Sequence, residues 1–168
     1  MQATNMGSEI RNVVINNNVS QLNTGSGSAH GFLIFGQDNG VVDGLNMYGN
    51  TSLSNQSRGL YVVARTGGSV LGVSVYQNTF RLNAIGVQID DDANVIEIDY
   101  GGGALGSIGQ NVSFDNTLAD IHVDLDGGEL KAENNWWGSA SGLDPSDVTL
   151  DDASTIDVDP FLTSDPND

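Results

Sequence analysis

The chain has 168 residues and a formal net charge of −17, from 22 acidic side chains against 5 Lys and Arg, with 22 glycines, 3 prolines and no cysteine. That length allows one domain with a long narrow core. The missing cysteines exclude a disulfide framework and a thiolate metal site, and the acidity argues against nucleic acid or an anionic membrane as partner. No apolar run is long enough to span a bilayer or to form the core of a signal peptide, so membrane insertion is not expected. Met1-Gln2-Ala3-Thr4 reads either as a mature terminus or as the cut edge of a larger protein.

Along the chain two kinds of short strand alternate. Val13-Val14-Ile15 is followed by Phe32-Leu33-Ile34, Leu45-Asn46-Met47, Leu60-Tyr61-Val62, Val73-Ser74-Val75, Val87-Gln88-Ile89, Val112-Ser113-Phe114, Ile121-His122-Val123 and Leu130-Lys131-Ala132. In both kinds the first and third positions are apolar and the middle one varies, the period-2 signature of a strand with one buried face. The first kind leads within a few residues to Asn18, Asn50, Asn78, Asn116 or Asn135, and the second is usually entered through a glycine, Gly31, Gly59 or Gly86. The Val112 repeat reaches its Asn one residue early.

A strand pair repeating in this way points to a solenoid, and the recurring Asn to parallel stacking. Asn tolerates the left-handed backbone of a tight turn, and identical amides stacked ~4.8 Å apart can hydrogen-bond along the axis as a ladder. An antiparallel sandwich would also give short alternating strands, but it gives no reason for one turn residue to recur in register. The expected fold is therefore all-β, a parallel β-helix of about five coils over residues 1–141, closed by an Asp-rich segment over 142–168. That segment carries no Lys or Arg, and its apolar anchors Leu143, Val148, Leu150, Ile156, Val158, Phe161 and Leu162 are expected to fold it back as a cap on the last coil. No equivalent cap is evident at the N-terminus, so further coils or a partner chain are expected to cover that end.

Asn134-Asn135-Trp136-Trp137-Gly138, Leu143-Asp144-Pro145 and Asp159-Pro160-Phe161-Leu162 together resemble the closing segment of secreted bacterial proteins with a right-handed parallel β-helix of the pectin-lyase-like type. The stretch from Ile98 to Asn111 is similar to a glycine-rich insertion found in some of them. The resemblance implies a right-handed winding, a secreted or cell-surface location in bacteria within a larger protein, and three strands per coil. The third strand would lie just after the Asn turn, in Val19-Ser20, Thr79-Phe80 and Thr117-Leu118. It does not choose a function, because that superfold carries polysaccharide lyases and hydrolases, phage spikes and adhesins.

Alternation sends Leu33, Tyr61, Gln88 and His122 outward in one column and Phe35, Val63, Asp90 and Asp124 in the next. Asp90, Asp91 and Asp92 leave one coil beside His122, Asp124 and Asp126 on the next. Two carboxylates on adjacent strands either share a proton or share a cation. Asp90, His122 and Asp124 are thus the candidate catalytic groups, as general acid and as base or nucleophile on a glycoside, or holding Ca²⁺ against a uronate. Asp90, Asp124 and Asp126 are the candidate Ca²⁺ ligands, with Asp-rich solvated turns as the plain alternative. Hydrolases of the resembled family usually show Asn-Thr-Asp, Asp-Asp, Gly-His-Gly and Arg-Ile-Lys. Only Asp-Asp occurs here, and Arg58, Arg65 and Arg81 cannot be placed beside Asp90 from the sequence. Tyr61, Gln88 and Trp137 are candidate carbohydrate contacts, although Trp137 also suits packing under the cap. Tyr48 and Tyr76 occupy equivalent outward positions and are expected to form an exposed aromatic pair, stacked for rigidity.

These features lead to the expectation of a non-catalytic extracellular or cell-surface module, structural or adhesive, that binds a polysaccharide or cell-surface glycan. The alternatives are a polysaccharide lyase or glycoside hydrolase acting at the acidic strand face, and a fibre or spike subunit that self-associates through its N-terminal coil.

Overall fold

The computed structural model describes residues 1–25, 28–92 and 94–168. In chain order its strands are β1 (Gln2–Ala3), β2 (Glu9–Asn16), β3 (Val19–Gln21), β4 (Phe32–Gln37), β5 (Val41–Tyr48), β6 (Thr51–Leu53), β7 (Arg58–Arg65) and β8 (Ser69–Tyr76). They continue with β9 (Thr79–Arg81), β10 (Ile85–Asp90), β11 (Val95–Asp99), β12 (Val112–Phe114), β13 (Ala119–Asp124), β14 (Glu129–Lys131), β15 (Val148–Asp151) and β16 (Thr155–Asp157). A single 3-10 turn, Pro145–Asp147, accompanies them, and the described residues contain no α-helix.

The strands stack as three parallel sheets, giving a parallel β-solenoid of about five coils. The first sheet runs β1-β4-β7-β10-β13-β15, the second β16-β14-β11-β8-β5-β2, and the third β12-β9-β6-β3. Inward positions form the expected columns. Phe32, Leu60, Val87, Ile121 and Val148 are in register, as are Ile34, Val62, Ile89, Val123 and Leu150. Leu60, Val62, Val87, Ile89, Ile121 and Val123 are fully buried. At roughly 25 cal/mol per Å² of apolar area removed from water, these columns are the main source of stability.

One sequence-based assignment is corrected. Val112-Ser113-Phe114 is not a strand of the second sheet but lies in the third, in register with Thr79-Phe80-Arg81. The place expected for it is taken by β11, where Ile98 stands beside Val73. Both segments have the same apolar alternation, and the glycine-rich stretch between them hides which one continues the column. Thr117-Leu118 is accordingly a turn and not a third strand, and Leu118 is exposed. The third sheet buries its middle residues, Ser52, Phe80 and Ser113.

Two asparagine ladders, not one, run along the axis. In the first, the backbone N and side-chain Nδ2 of each Asn both donate to Oδ1 of the Asn in the next coil: Asn18 to Asn50 (3.0 and 3.0 Å), Asn50 to Asn78 (3.0 and 2.9 Å), Asn78 to Asn111 (3.0 and 3.1 Å) and Asn111 to Asn135 (2.9 and 3.0 Å). The second, at the far end of the third sheet, joins Asn23, Asn55, Asn83 and Asn116 in the same way. Asn116 thus belongs to the second ladder and Asn111 to the first, which removes the irregularity in spacing. The left-handed residue of each corner precedes the Asn: Asn17, Gly49, Gln77, Gln110 and Asn134 in one series, Leu22, Ser54, Leu82 and Asp115 in the other, all with positive φ. The amide is selected for its hydrogen bonds across coils, while tertiary stacking forces even leucine into the left-handed region.

The second ladder ends on a carboxylate. Asp120 Oδ1 accepts from Asn116 Nδ2 at 2.8 Å and from Asn116 N at 3.3 Å, standing where the Asn of a further coil would stand. Burial raises the Asp120 pKa to about 6, with Asp147 and Asp115 adding to the effect against the opposing hydrogen bonds from Asn116.

β15 pairs in parallel with β13 and β16 with β14, so residues 148–151 and 155–157 add a rung to two of the sheets, and Leu143, Val148, Ile156, Val158 and Phe161 pack against the core. Leu143, Pro145, Val148, Leu150, Ile156 and Val158 line an apolar hollow of about 450 Å³ at that end.

The raised Asp120 pKa has a definite sign. The unfolded carboxyl titrates near 3.8 and the folded one near 6, so the folded state holds the proton over that interval and its stability falls as pH rises through it. Asp120→Asn keeps the acceptor for Asn116 and removes the buried charge. It should raise stability at pH 7 by roughly 2–3 kcal/mol and leave it unchanged at pH 4, as measured by the wild-type minus variant difference in urea midpoint.

Candidate functional site

The outer face of the first sheet carries the candidate residues, built on β4, β7, β10 and β13. Strand alternation places Tyr61, Val63 and Arg65 of β7 on one face, and parallel pairing sets Tyr61 beside Gln88 and Val63 beside Asp90. The Tyr61 hydroxyl donates to Asp90 Oδ2 at 2.6 Å, and Arg65 Nη2 donates to the Tyr61 hydroxyl at 2.9 Å and to the same Asp90 oxygen at 3.1 Å. Arg58 lies over the Tyr61 ring, 4.4 Å from its centroid, and donates through Nε to Gln88 Oε1. The His30 ring covers Tyr61 from the preceding loop at 5.2 Å between centroids.

This face is more closed than alternation suggests. Tyr61, Val63, Gln88 and Asp90 point away from the core yet are all buried, because the long side chains of Arg58 and Arg65 and the His30 ring lie across them. Burial, the hydrogen bond to Asp90 and the Asp90 charge push the Tyr61 phenol up to about 12. Burial, followed by the nearby Arg58 charge, lowers the His30 pKa. Beside this network lies a cleft of about 220 Å³, with Leu33, Phe35 and Val63 as apolar wall and Ser28, His30 and Arg65 as polar rim.

The acidic end of the same face is arranged differently from the sequence-based expectation. Asp90, Asp124 and Asp151 are in register on successive strands. Burial raises the Asp124 pKa, with the charges of Asp152, Asp90, Asp151 and Asp91 acting in the same direction. His122 Nε2 lies 2.8 Å from Asp151 Oδ2 and not against Asp90 or Asp124. Among the described residues no three histidine, cysteine or acidic side chains converge as a group that could hold a metal ion. Asp90 is committed to Arg65 and Tyr61, and the Asp126 backbone N donates to Asp91 Oδ2 at 3.1 Å. Gly127 and Gly128 turn the chain with a hydrogen bond from Gly128 N to Leu125 O, so Asp124–Glu129 is a coil corner.

Trp137 is 4% exposed and its ring packs 6.2 Å from Tyr100 in the core, the packing role that the sequence also allowed. Arg65, Arg58 and His30 are the participants that sequence reasoning could not place. The signal for Arg65 was present, since positions 61, 63 and 65 share a face of one strand. No family model, curated protein or solved structure was found that matches the chain significantly.

Arg65 is the only cation bonded to Asp90 among the described residues. Arg65→Ala leaves that largely buried carboxylate with Tyr61 alone and should cost roughly 1–2 kcal/mol at pH 7. Chemical denaturation of the variant and wild type at pH 7 measures it.

Proposed function

We propose that this protein is a non-catalytic module of the pectin-lyase-like kind, secreted or cell-surface, that serves a structural or adhesive role by binding glycan on the outer face of its first sheet. The observation that carries the reading is the cleft of about 220 Å³ beside Tyr61. An apolar wall with a few fixed hydrogen-bonding groups at its rim is the chemistry that the two faces of a sugar ring require. Tyr61 and Gln88 support the floor, while Arg65, His30 and Ser28 supply the polar contacts. A right-handed winding accords with the strong preference for that hand in parallel crossovers.

The same geometry weighs against catalysis. A general acid or base must exchange its proton with a substrate, whereas Asp90 is bonded to Tyr61 and Arg65 and His122 is turned to Asp151. The test is a panel of neutral and acidic polysaccharides, with calcium and with chelator, assayed for binding, for reducing ends and for unsaturated uronate absorbance. Binding without turnover, weakened by Phe35→Ala, is expected. Turnover abolished by the double substitution Asp90→Ala/Asp124→Ala would make this an enzyme.

Self-assembly is a second reading, supported by the two ends of the solenoid. At one end β15 and β16 flank the apolar hollow of about 450 Å³, and at the other β1, β2 and β3 have a neighbour on one side only. Stacking the second end of one copy on the first end of another would continue the sheets head to tail. Sedimentation velocity should then show concentration-dependent association that Ile156→Lys suppresses. A monomer over the whole concentration range excludes this reading.

A further inference from the structure

A second cleft lies on the outer face of the second sheet, where the chemistry is neutral. Tyr48 and Tyr76, in register on β5 and β8, stack with ring centroids 5.1 Å apart and planes 9° from parallel. Tyr48 is held by Asn16 Nδ2, which donates to its hydroxyl at 3.0 Å. The stack covers one face of Tyr76. In the next rung Ser74 pairs with Asp99 and Gln77 N donates to Gly109 O, so the glycine-rich loop replaces the strand that would continue the tyrosine column. The glycine-rich loop stands off instead, and Asn46, Ser74, Tyr76, Leu105, Gly106 and Ile108 enclose a cleft of about 260 Å³.

Three hydrogen-bonding groups in this cleft have no partner among the described residues: the Asn46 amide, the Ser74 hydroxyl and the Tyr76 hydroxyl. Ser74 is 5% exposed, and its hydroxyl opens to the cleft. The opposite wall is aliphatic, with Ile108 50% exposed. No lining residue is charged. The wall is also held in place, because the Asp99 carboxylate accepts from the backbone N of Gly101, Gly103 and Ser107 at 3.0 Å each, and Ser107 Oγ donates to Val75 O at 2.7 Å. A preformed site loses less entropy on binding.

We propose that this cleft binds one ring of a neutral glycan. A pyranose has an apolar face that suits the Tyr76 ring and the aliphatic wall that line the cleft. Its hydroxyls both donate and accept, as the amide and the two hydroxyls of the cleft require. A purely apolar ligand would leave three polar groups unpaired, and an anionic one would meet no cation in a chain of net charge −17. The volume is below the ~300–1,000 Å³ of sites that enclose drug-sized ligands, so it suits one ring of a chain that continues over the surface. The site is separate from the face of the first sheet and stands or falls independently of the function proposed for it.

The experiment is isothermal titration of the full chain with neutral hexaoses of gluco, manno, galacto and xylo configuration and with a hexagalacturonate. Wild type, Asn46→Ala, Tyr76→Phe, Ile108→Ser and Phe35→Ala are compared. Asn46 and Ile108 are exposed, so their variants keep the fold. At least one neutral hexaose should bind, with affinity falling about tenfold in Asn46→Ala and Ile108→Ser and unchanged in Phe35→Ala. Neutral binding lost only in Phe35→Ala would assign it to the first sheet and overturn this proposal. So would the absence of any neutral binding tighter than about 10 mM, or binding of the hexagalacturonate alone.

Discussion

The fold depends on holding successive coils one strand spacing apart, and the asparagine ladders are where that spacing is enforced at the corners. At a corner the sheet hydrogen bonds stop, and backbone donors would be left buried without acceptors. Each inner ladder Asn solves this in both directions: its Oδ1 takes two donors from one neighbouring coil while its own N and Nδ2 reach the other. Asn78 Nδ2 also donates to Met47 O and Tyr76 O at 2.9 Å, so one buried side chain satisfies the backbone of two coils. Because every rung is locked to the next, the outward side chains stand in straight columns, and every feature of the two outer faces follows from that alignment.

Alignment concentrates like with like, and the consequences differ along the axis. On the first sheet the aromatic and cationic residues fall towards the early coils and the carboxylates Asp90, Asp124 and Asp151 towards the later ones. Arg65 and Tyr61 compensate Asp90 at the border, while Asp124 is left among acids and is held partly towards its neutral form. On the second sheet the column of tyrosines ends at Tyr76, where the glycine-rich loop takes over beside neutral hydrogen-bonding groups. A solenoid can thus carry two chemically distinct surfaces on one backbone, the one charged and the other neutral.

The carboxylate that ends the second ladder shows the cost of stopping a repeat. Asp120 reproduces the acceptor geometry of a ladder Asn but carries a charge that its surroundings disfavour, and its pKa rises to about 6. The first ladder ends without this penalty, because Asn135 Nδ2 donates to the carbonyls of Tyr100, Ala132 and Glu133.

The period of the apolar residues and the recurrence of Asn determined, without any structure, that this chain is all-β and winds in parallel coils. They also fixed the inward columns from Phe32 and Ile34 onward, because burial on one face of a strand writes itself into every second residue. The stacked tyrosines and the outward direction of Tyr61, Gln88 and Asp90 were legible for the same reason. The tertiary structure decided what periodicity cannot encode. Val95–Asp99 and Val112–Phe114 alternate alike, and only packing assigns one to the second sheet and the other to the third. The second ladder was hidden because Asn is common throughout the chain. The partners of Asp90 and His122, and the burial of Trp137, depend on where long side chains lie across a surface. That is set by neighbours one coil away, some 30 residues distant in sequence, and not by local pattern.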